Sequence, residues 1–178
     1  MIRAGILTMS DKGSRGERED LSGKVIAEMI QELPAEVAVY EIIPDEPDVI
    51  RERLVEFVDE KRLDLILTTG GTGVSPRDVT PEATRAVIER ELPGMAEAMR
   101  AESLSKTPYA MVSRAVCGVR GETLIINLPG SPKAVRENLA VVLPAINHTI
   151  EKIKGSTREC AVPFTDQPLH QTKTSLTR

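Results

Sequence analysis

The most constraining stretch of this chain is Leu63–Thr69, a nearly unbroken run of β-favouring apolar residues that opens directly onto Gly70-Gly71-Thr72-Gly73. A strand that is apolar on both faces must be covered on both, which is the pattern of a parallel sheet between two helical layers. Ile2–Met9 is a second such run, emptying into the polar loop Ser10-Asp11-Lys12-Gly13, and Val37–Ile43 is a third. Between them the apolar spacing changes from continuous to helical. From near Asp20, Leu21, Val25, Met29 and Leu33, with Ile26 and Ile30 beside them, form one face that Pro34 stops, and Pro47 opens a helix that buries Ile50, Leu54, Phe57 and Val58.

Further along, Thr80-Pro81-Glu82 reads as a helix start, with Thr80 as the cap and Pro81 in the first position. Pro93-Gly94 ends that helix, and another follows over about 95–104. Ala115–Val119 and Thr123–Asn127 flank Arg120-Gly121-Glu122, which reads as a hairpin placing one antiparallel strand in the sheet. A last helix after Pro132 turns Val135, Leu139, Val142 and Leu143 inward, and Pro144 kinks or interrupts it. The expected fold is α/β: three layers, a mostly parallel sheet with one antiparallel strand, and helices on both faces. Residues 1–154 form one domain, and the polar stretch 155–178 is a tail or an arm.

In such a sheet, ligands gather at the carboxyl ends of the strands. That edge collects Ser10 and Asp11, Asp45, the glycine cluster with Asp78, and the loop Asn127-Leu128-Pro129-Gly130-Ser131-Pro132-Lys133. Gly70, Gly71 and Gly73 allow successive backbone N–H groups to converge on an anion, or they serve a tight strand-to-helix turn. The segment has neither the spacing of a P-loop nor that of a dinucleotide fingerprint. Ser131-Pro132-Lys133 is a helix start and, on the shared edge, a second anion site. Lys12, Arg15 and Arg77 make the edge locally positive, or are solvated surface. With Thr80 capping its helix, Asp78 is left to hold Mg²⁺ against phosphate oxygens. Asp45, just before Pro47, is equally a cap or a residue with a metal or substrate role.

A net charge of −4, no Trp, two Tyr and two Phe argue against nucleic acid, since there is neither a basic field nor a stacking platform. Cys117 and Cys160 lie far apart, with no Cys or His at metal-ligand spacing, and read as inert thiols. The apolar start is too short for a signal peptide or a membrane span, so a cytoplasmic location is expected. His148 and His170 read as surface or tail residues.

The stretches Thr68-Thr69-Gly70-Gly71-Thr72-Gly73 and Pro76-Arg77-Asp78-Val79-Thr80-Pro81-Glu82-Ala83 resemble the signature of the molybdopterin adenylyltransferase family, the MogA/MoaB type related to the gephyrin G domain. Ser10-Asp11 with Gly13 and Gly16, Ile43-Pro44-Asp45-Glu46, and Asn127 to Lys133 resemble the family's other loops in the same order, so the likeness runs from about Ile2 to Lys154. It implies a molybdopterin-binding-like fold and transfer of AMP from ATP to the terminal phosphate of molybdopterin with Mg²⁺, in molybdenum cofactor biosynthesis. It implies that Asp45 and Asp78 are the functional carboxylates and that the glycine cluster and the Asn127 to Lys133 loop bind ligand. It also implies a homotrimer, with the tail or the helix near Met95 at the interface, and hand-over to a molybdenum-insertion protein. A non-catalytic pterin carrier or a trimeric scaffold of the same fold is the alternative; loss of Asp45 or Asp78 would favour either, and both are present.

Overall fold

In a computed structural model, residues 1–157 are described; Cys160, His170 and most of the 155–178 tail lie outside them. Six strands form one sheet in the order β2-β1-β3-β6-β5-β4. They are β1 (Ile2–Met9), β2 (Ala35–Ile43), β3 (Leu65–Thr69), β4 (Arg90–Glu91), β5 (Cys117–Arg120) and β6 (Thr123–Leu128). The ladders β2/β1, β1/β3 and β3/β6 are parallel, and β5 pairs antiparallel with both β6 and β4. Only β5 therefore runs against the rest, as the hairpin around Gly121 requires. The helices are α1 (Asp11–Ser14), α2 (Leu21–Met29), α3 (Pro47–Val55), α4 (Thr80–Arg85), α5 (Pro93–Leu104) and α6 (Pro132–Ile153).

The sheet has a core on each face, which is why β3 is apolar throughout. Ile6, Leu65, Leu67, Leu124 and Ile126 point to the side where α6 packs between α2 and α5. Leu7, Ile66 and Ile125 point to the other, against Ile50, Leu54, Phe57 and Ala83 of the α3–α4 layer. The chain leaves β1 toward β2 and returns across it to β3, so the carboxyl ends of β1 and β3 flank the point where the strand order reverses.

Several local features differ from the sequence expectation. Thr80 does not cap α4: the cap position is Val79, without a side-chain bond, and the Thr80 hydroxyl donates to the Gly70 carbonyl at 2.9 Å. The helix expected to run on to Pro93 stops at Arg85 and gives way to β4, an edge strand of two charged residues that no apolar pattern announces. Pro93 starts α5 instead, at a position where its missing N–H costs nothing. In α2 the buried residues are Ser22, Gly23, Ile26 and Met29, while Leu21 is 53% exposed at its start. Pro144 does not interrupt α6, because it and Ala140, whose carbonyl it leaves without a helical donor, both face solvent.

Candidate functional site

Gly70 and Gly71 adopt φ of 96° and 64°, and side chains there would run into the Met9 carbonyl and the Thr80 hydroxyl respectively. The Thr80 N–H closes on the Gly71 carbonyl at 3.1 Å, folding the loop back over the start of α4. A cavity of about 290 Å³ opens beside it at the ends of β1 and β3, lined by Thr8, Met9, Ser10 and Gly13 on one side and Thr69, Gly70, Gly71, Asp45 and Asp78 on the other. Gly130 and Pro132 close it from the β6–α6 turn.

The two carboxylates rest on the glycines. A Cβ on Gly71 would lie 3.2 Å from Asp45 Oδ1, and one on Gly73 would lie 2.9 Å from Asp78 Oδ2, so the absent side chains are the space these carboxylates occupy. Asp45 does not cap α3, whose cap position is Glu46. Its Oδ2 accepts the Asp11 N–H at 2.9 Å, and its own N–H donates to Asp11 Oδ1 at 3.1 Å, which ties the β1 and β2 loops together. Asp78 closes a turn, its Oδ2 accepting the Ser75 N–H at 2.8 Å. Neither Oδ1 accepts a hydrogen bond from the described residues. Burial raises the pKa of Asp45, and the charges of Asp11 and Asp78 add to that effect.

Not every candidate reaches the cavity. Asn127 is fully buried; its side-chain amide donates to the hydroxyls of Thr68 and Thr84 at 3.0 Å each and accepts the Val116 N–H at 3.2 Å, so it fastens β6 to its neighbours. Asp11 is engaged by Arg77, whose Nε and Nη2 lie 3.0 and 2.9 Å from its two oxygens, and this hydrogen-bonded pair holds the Asp11 pKa below the usual carboxylate range. Arg77 also meets Glu46 at 2.8 Å, and Arg15 meets Glu17, so two of the three cations expected to brighten the edge are already neutralised. The α6 start offers less than a full helix end. Ser131 Oγ takes the Ala134 N–H at 3.1 Å and Pro132 has none, which leaves the Lys133 backbone N–H and its exposed ammonium.

Two residues emerge that sequence reading did not single out. Asp20, on the cavity floor, accepts from Thr8 Oγ1 at 2.5 Å, Tyr40 OH at 2.6 Å, and Ser22 Oγ and Gly23 N at 2.9 Å each. Its signal was an Asp-Leu-Ser-Gly cap at a helix start. Arg114 gathers the carbonyls of Gly73 and Asp78 at 2.6 Å each and pairs with Glu82, while its N–H donates to Thr72 O at 2.9 Å, so it moulds the loop carrying Asp78. An isolated arginine just before a buried strand was the only trace of that clamp.

On the far side of the loop a second pocket, of about 240 Å³, is lined by Thr72, Gly73 and Pro129 with Tyr109, Ala110, Val112 and Asn138. Thr72, Gly73 and Pro129 thus face this mainly apolar pocket and not the polar cavity. Among the described residues no group of three or more His, Cys, Asp and Glu side chains is placed to cage a metal ion, and no helix is long and apolar enough to cross a membrane. Cys117 is buried, its thiol pKa pushed up to about 12, and takes no part in the site.

Residues 5–148 match the family model described as a probable molybdopterin binding domain. A molybdopterin adenylyltransferase of Helicobacter pylori J99 is 48% identical over 158 residues, covering 87% of this chain and 89% of that protein. The enzyme of the same name from Escherichia coli K12 is 42% identical over 84% of this chain and 77% of its own length. Among solved structures, the molybdopterin biosynthesis enzyme MoaB of Thermus thermophilus superposes with a TM-score of 0.83 at 56% identity, covering 88% of this chain and 98% of the other. The glycine loop and its two carboxylates lie within the matched stretch, and the chain belongs to the molybdopterin adenylyltransferase family, of the MogA/MoaB type.

Proposed function

We propose that this protein transfers AMP from ATP to the terminal phosphate of molybdopterin, yielding adenylyl-molybdopterin in molybdenum cofactor biosynthesis. The observation that carries this reading is that Asp45 and Asp78 line one polar cavity together with Gly70 and Gly71, each carboxylate packed against a glycine of the loop. Backbone N–H groups without flanking side chains suit phosphate, and two carboxylates beside them suit a cation shared with phosphate. The apolar pocket across the loop offers a seat for the flat ring of one substrate while its phosphates reach the glycines.

The reaction needs positioning more than proton transfer. An oxygen of the molybdopterin phosphate attacks the α-phosphorus of ATP, a new P–O bond forms, and the bond to the bridging oxygen breaks to release pyrophosphate. A phosphate monoester has a second pKa of about 6, so the nucleophile is mostly a dianion at neutral pH and requires no base. The glycine-loop N–H groups orient the phosphates, and Lys133 supplies charge at the mouth. Asp45 and Asp78 fit Mg²⁺, since each leaves one oxygen unengaged by the described residues and Mg²⁺ is commonly held by one or two carboxylates together with substrate phosphates. When bound, Mg²⁺ would offset charge developing on the phosphates.

Incubation with molybdopterin, ATP and Mg²⁺ should yield adenylyl-molybdopterin and pyrophosphate in equal amounts; pterin binding without pyrophosphate release would leave a carrier in place of the enzyme. We further propose a cytoplasmic homotrimer joined through the α5 end of the molecule. Leu104, Tyr109, Met111 and Val112 are exposed there together, and light scattering should give three times the 19.4 kDa chain mass.

A further inference from the structure

Each residue of the exposed ion-pair group at the site mouth is the chain neighbour of a residue that lines the cavity. Asp11 follows Ser10, Glu46 follows Asp45, and Arg77 precedes Asp78. Arg77 alone spans the group, meeting both oxygens of Asp11 and, through Nη2, Oε1 of Glu46. The inner and outer sets come from the same three loops, those that follow β1, β2 and β3. We infer that Arg77 and Asp11 are positioning residues that fix the placement of Asp45 and Asp78 relative to one another; this rests on the adenylyl-transfer reading given above.

The geometry supplies the linkage. Asp45 is held from the β1 loop by two bonds, its Oδ2 to Asp11 N and its N–H to Asp11 Oδ1. Asp11 Oδ1 is shared between that N–H and Arg77 Nη2, so the Asp45 loop is hung on the same carboxylate that Arg77 grips. Arg77 is in turn covalently next to Asp78, within the turn that the Asp78 carboxylate closes on Ser75 N. Planar, two-point Arg–carboxylate contact fixes angle as well as distance, which a lysine cannot do.

Exposure decides what such a network is for. The Arg77 side chain is 51% exposed and that of Glu46 50%, so solvent screening leaves the group little weight in global stability. Sub-ångström placement of reacting groups is far more sensitive, since a shift of about 1 Å can cost about 10²-fold in rate. A network of this kind should therefore change turnover and barely change melting.

The test uses the full chain with Arg77→Ala, Arg77→Lys, Asp11→Asn and the Asp11→Asn/Arg77→Ala double variant. Expected are a loss of about 10²-fold in kcat for each single variant, with KM for ATP changed less than about threefold, and melting temperatures within about 3 °C of wild type. The double variant should be no slower than the singles, because both remove one device. Crystal structures of wild type and Arg77→Ala give a readout independent of turnover, in which the Asp45 carboxylate should leave its 2.9 Å partner, Asp11 N. An unmoved carboxylate, unchanged kcat, or full rescue by Arg77→Lys overturns the inference. If wild type itself transfers no adenylate, the proposed function falls, and the crystal comparison still decides the positioning claim.

Discussion

Two sides of one cavity treat their carboxylates in opposite ways. On the side formed by β1 and α2, Asp20 accepts four hydrogen bonds, two to each oxygen, and its lone pairs are fully used. On the side formed by the β2 and β3 loops, Asp45 and Asp78 each accept one, on Oδ2, and leave Oδ1 without a donor from the described residues. Burial opposes ionisation in Asp20 as well, yet its donors overcome that and lower its pKa, whereas burial prevails in Asp45. Satisfaction marks a carboxylate that holds the fold, and under the proposed function incomplete satisfaction marks the pair that would meet ligand.

The largest separation should come from Asp78→Asn. The amide preserves shape and can still accept the Ser75 N–H, so melting should shift by no more than about 3 °C, while adenylyl transfer falls about 10²–10³-fold, the range for removing one charge-stabilising group. Added Mg²⁺ should restore part of the rate. Full activity in this variant would place Asp78 with Asp20 and erase the contrast; a dead variant indifferent to Mg²⁺ would keep the residue and discard its metal role. Asp20→Ala should do the reverse. It removes the α2 cap and strands the hydroxyl of Thr8, a residue only 4% exposed, so about 2–4 kcal/mol of stability and roughly 5–15 °C in melting temperature should go, with a far smaller loss of turnover per folded molecule.

That contrast was only half legible in the sequence. The apolar runs announced the sheet, and the glycine cluster announced the cavity at its strand ends, because both signals are local. Asp45 and Asp78 could be named as candidates, but not how they are held. Thr80 looked like a cap by its position before Pro81, yet its hydroxyl serves Gly70, a partner brought near only by the loop's reversal. Asn127 looked like a ligand by its place beside Pro129-Gly130, yet its partners Thr68 and Thr84 come from two other elements, an arrangement no single stretch reveals. Arg114 and the β4 edge were missed for the same reason. Long-range hydrogen bonds settle them, and their residue types carry no pattern of their own.

The glycines sharpen the comparison further. Gly71→Val would combine left-handed backbone strain with a clash at Thr80, so it would cost stability as well as binding and cannot separate the two. Gly73→Ala is the cleaner probe, because no left-handed φ is required there and the new methyl would meet only Asp78. It should lower turnover about tenfold by displacing that carboxylate, with melting changed by no more than about 3 °C. Unchanged turnover would mean that the Asp78 carboxylate can move freely without consequence.

The smallest effect distinguishes the two sides by sign. Because burial raises the pKa of Asp45 in the folded protein, its protonated form is favoured by folding. The contribution is fully present below the ordinary unfolded pKa and is lost as pH rises through the raised folded value, so at neutral pH the ionised group weighs against the fold. Asp45→Asn removes that charge, and its amide oxygen can still accept the Asp11 N–H. The variant should therefore melt about 1–3 °C above wild type at pH 7, with the difference shrinking toward zero as pH falls below the carboxylate range. Asp20 runs the other way. Its lowered pKa gives stability that is present above the unfolded value and lost as pH falls through the folded one. Asp20→Asn should thus melt below wild type at pH 7, and that deficit should also narrow in acid. Melting curves of the three proteins between pH 3 and pH 8 should accordingly converge at the acid end from opposite sides; a lowered melting temperature for Asp45→Asn at pH 7 would show that the Asp45 charge is satisfied in the fold, as that of Asp20 is.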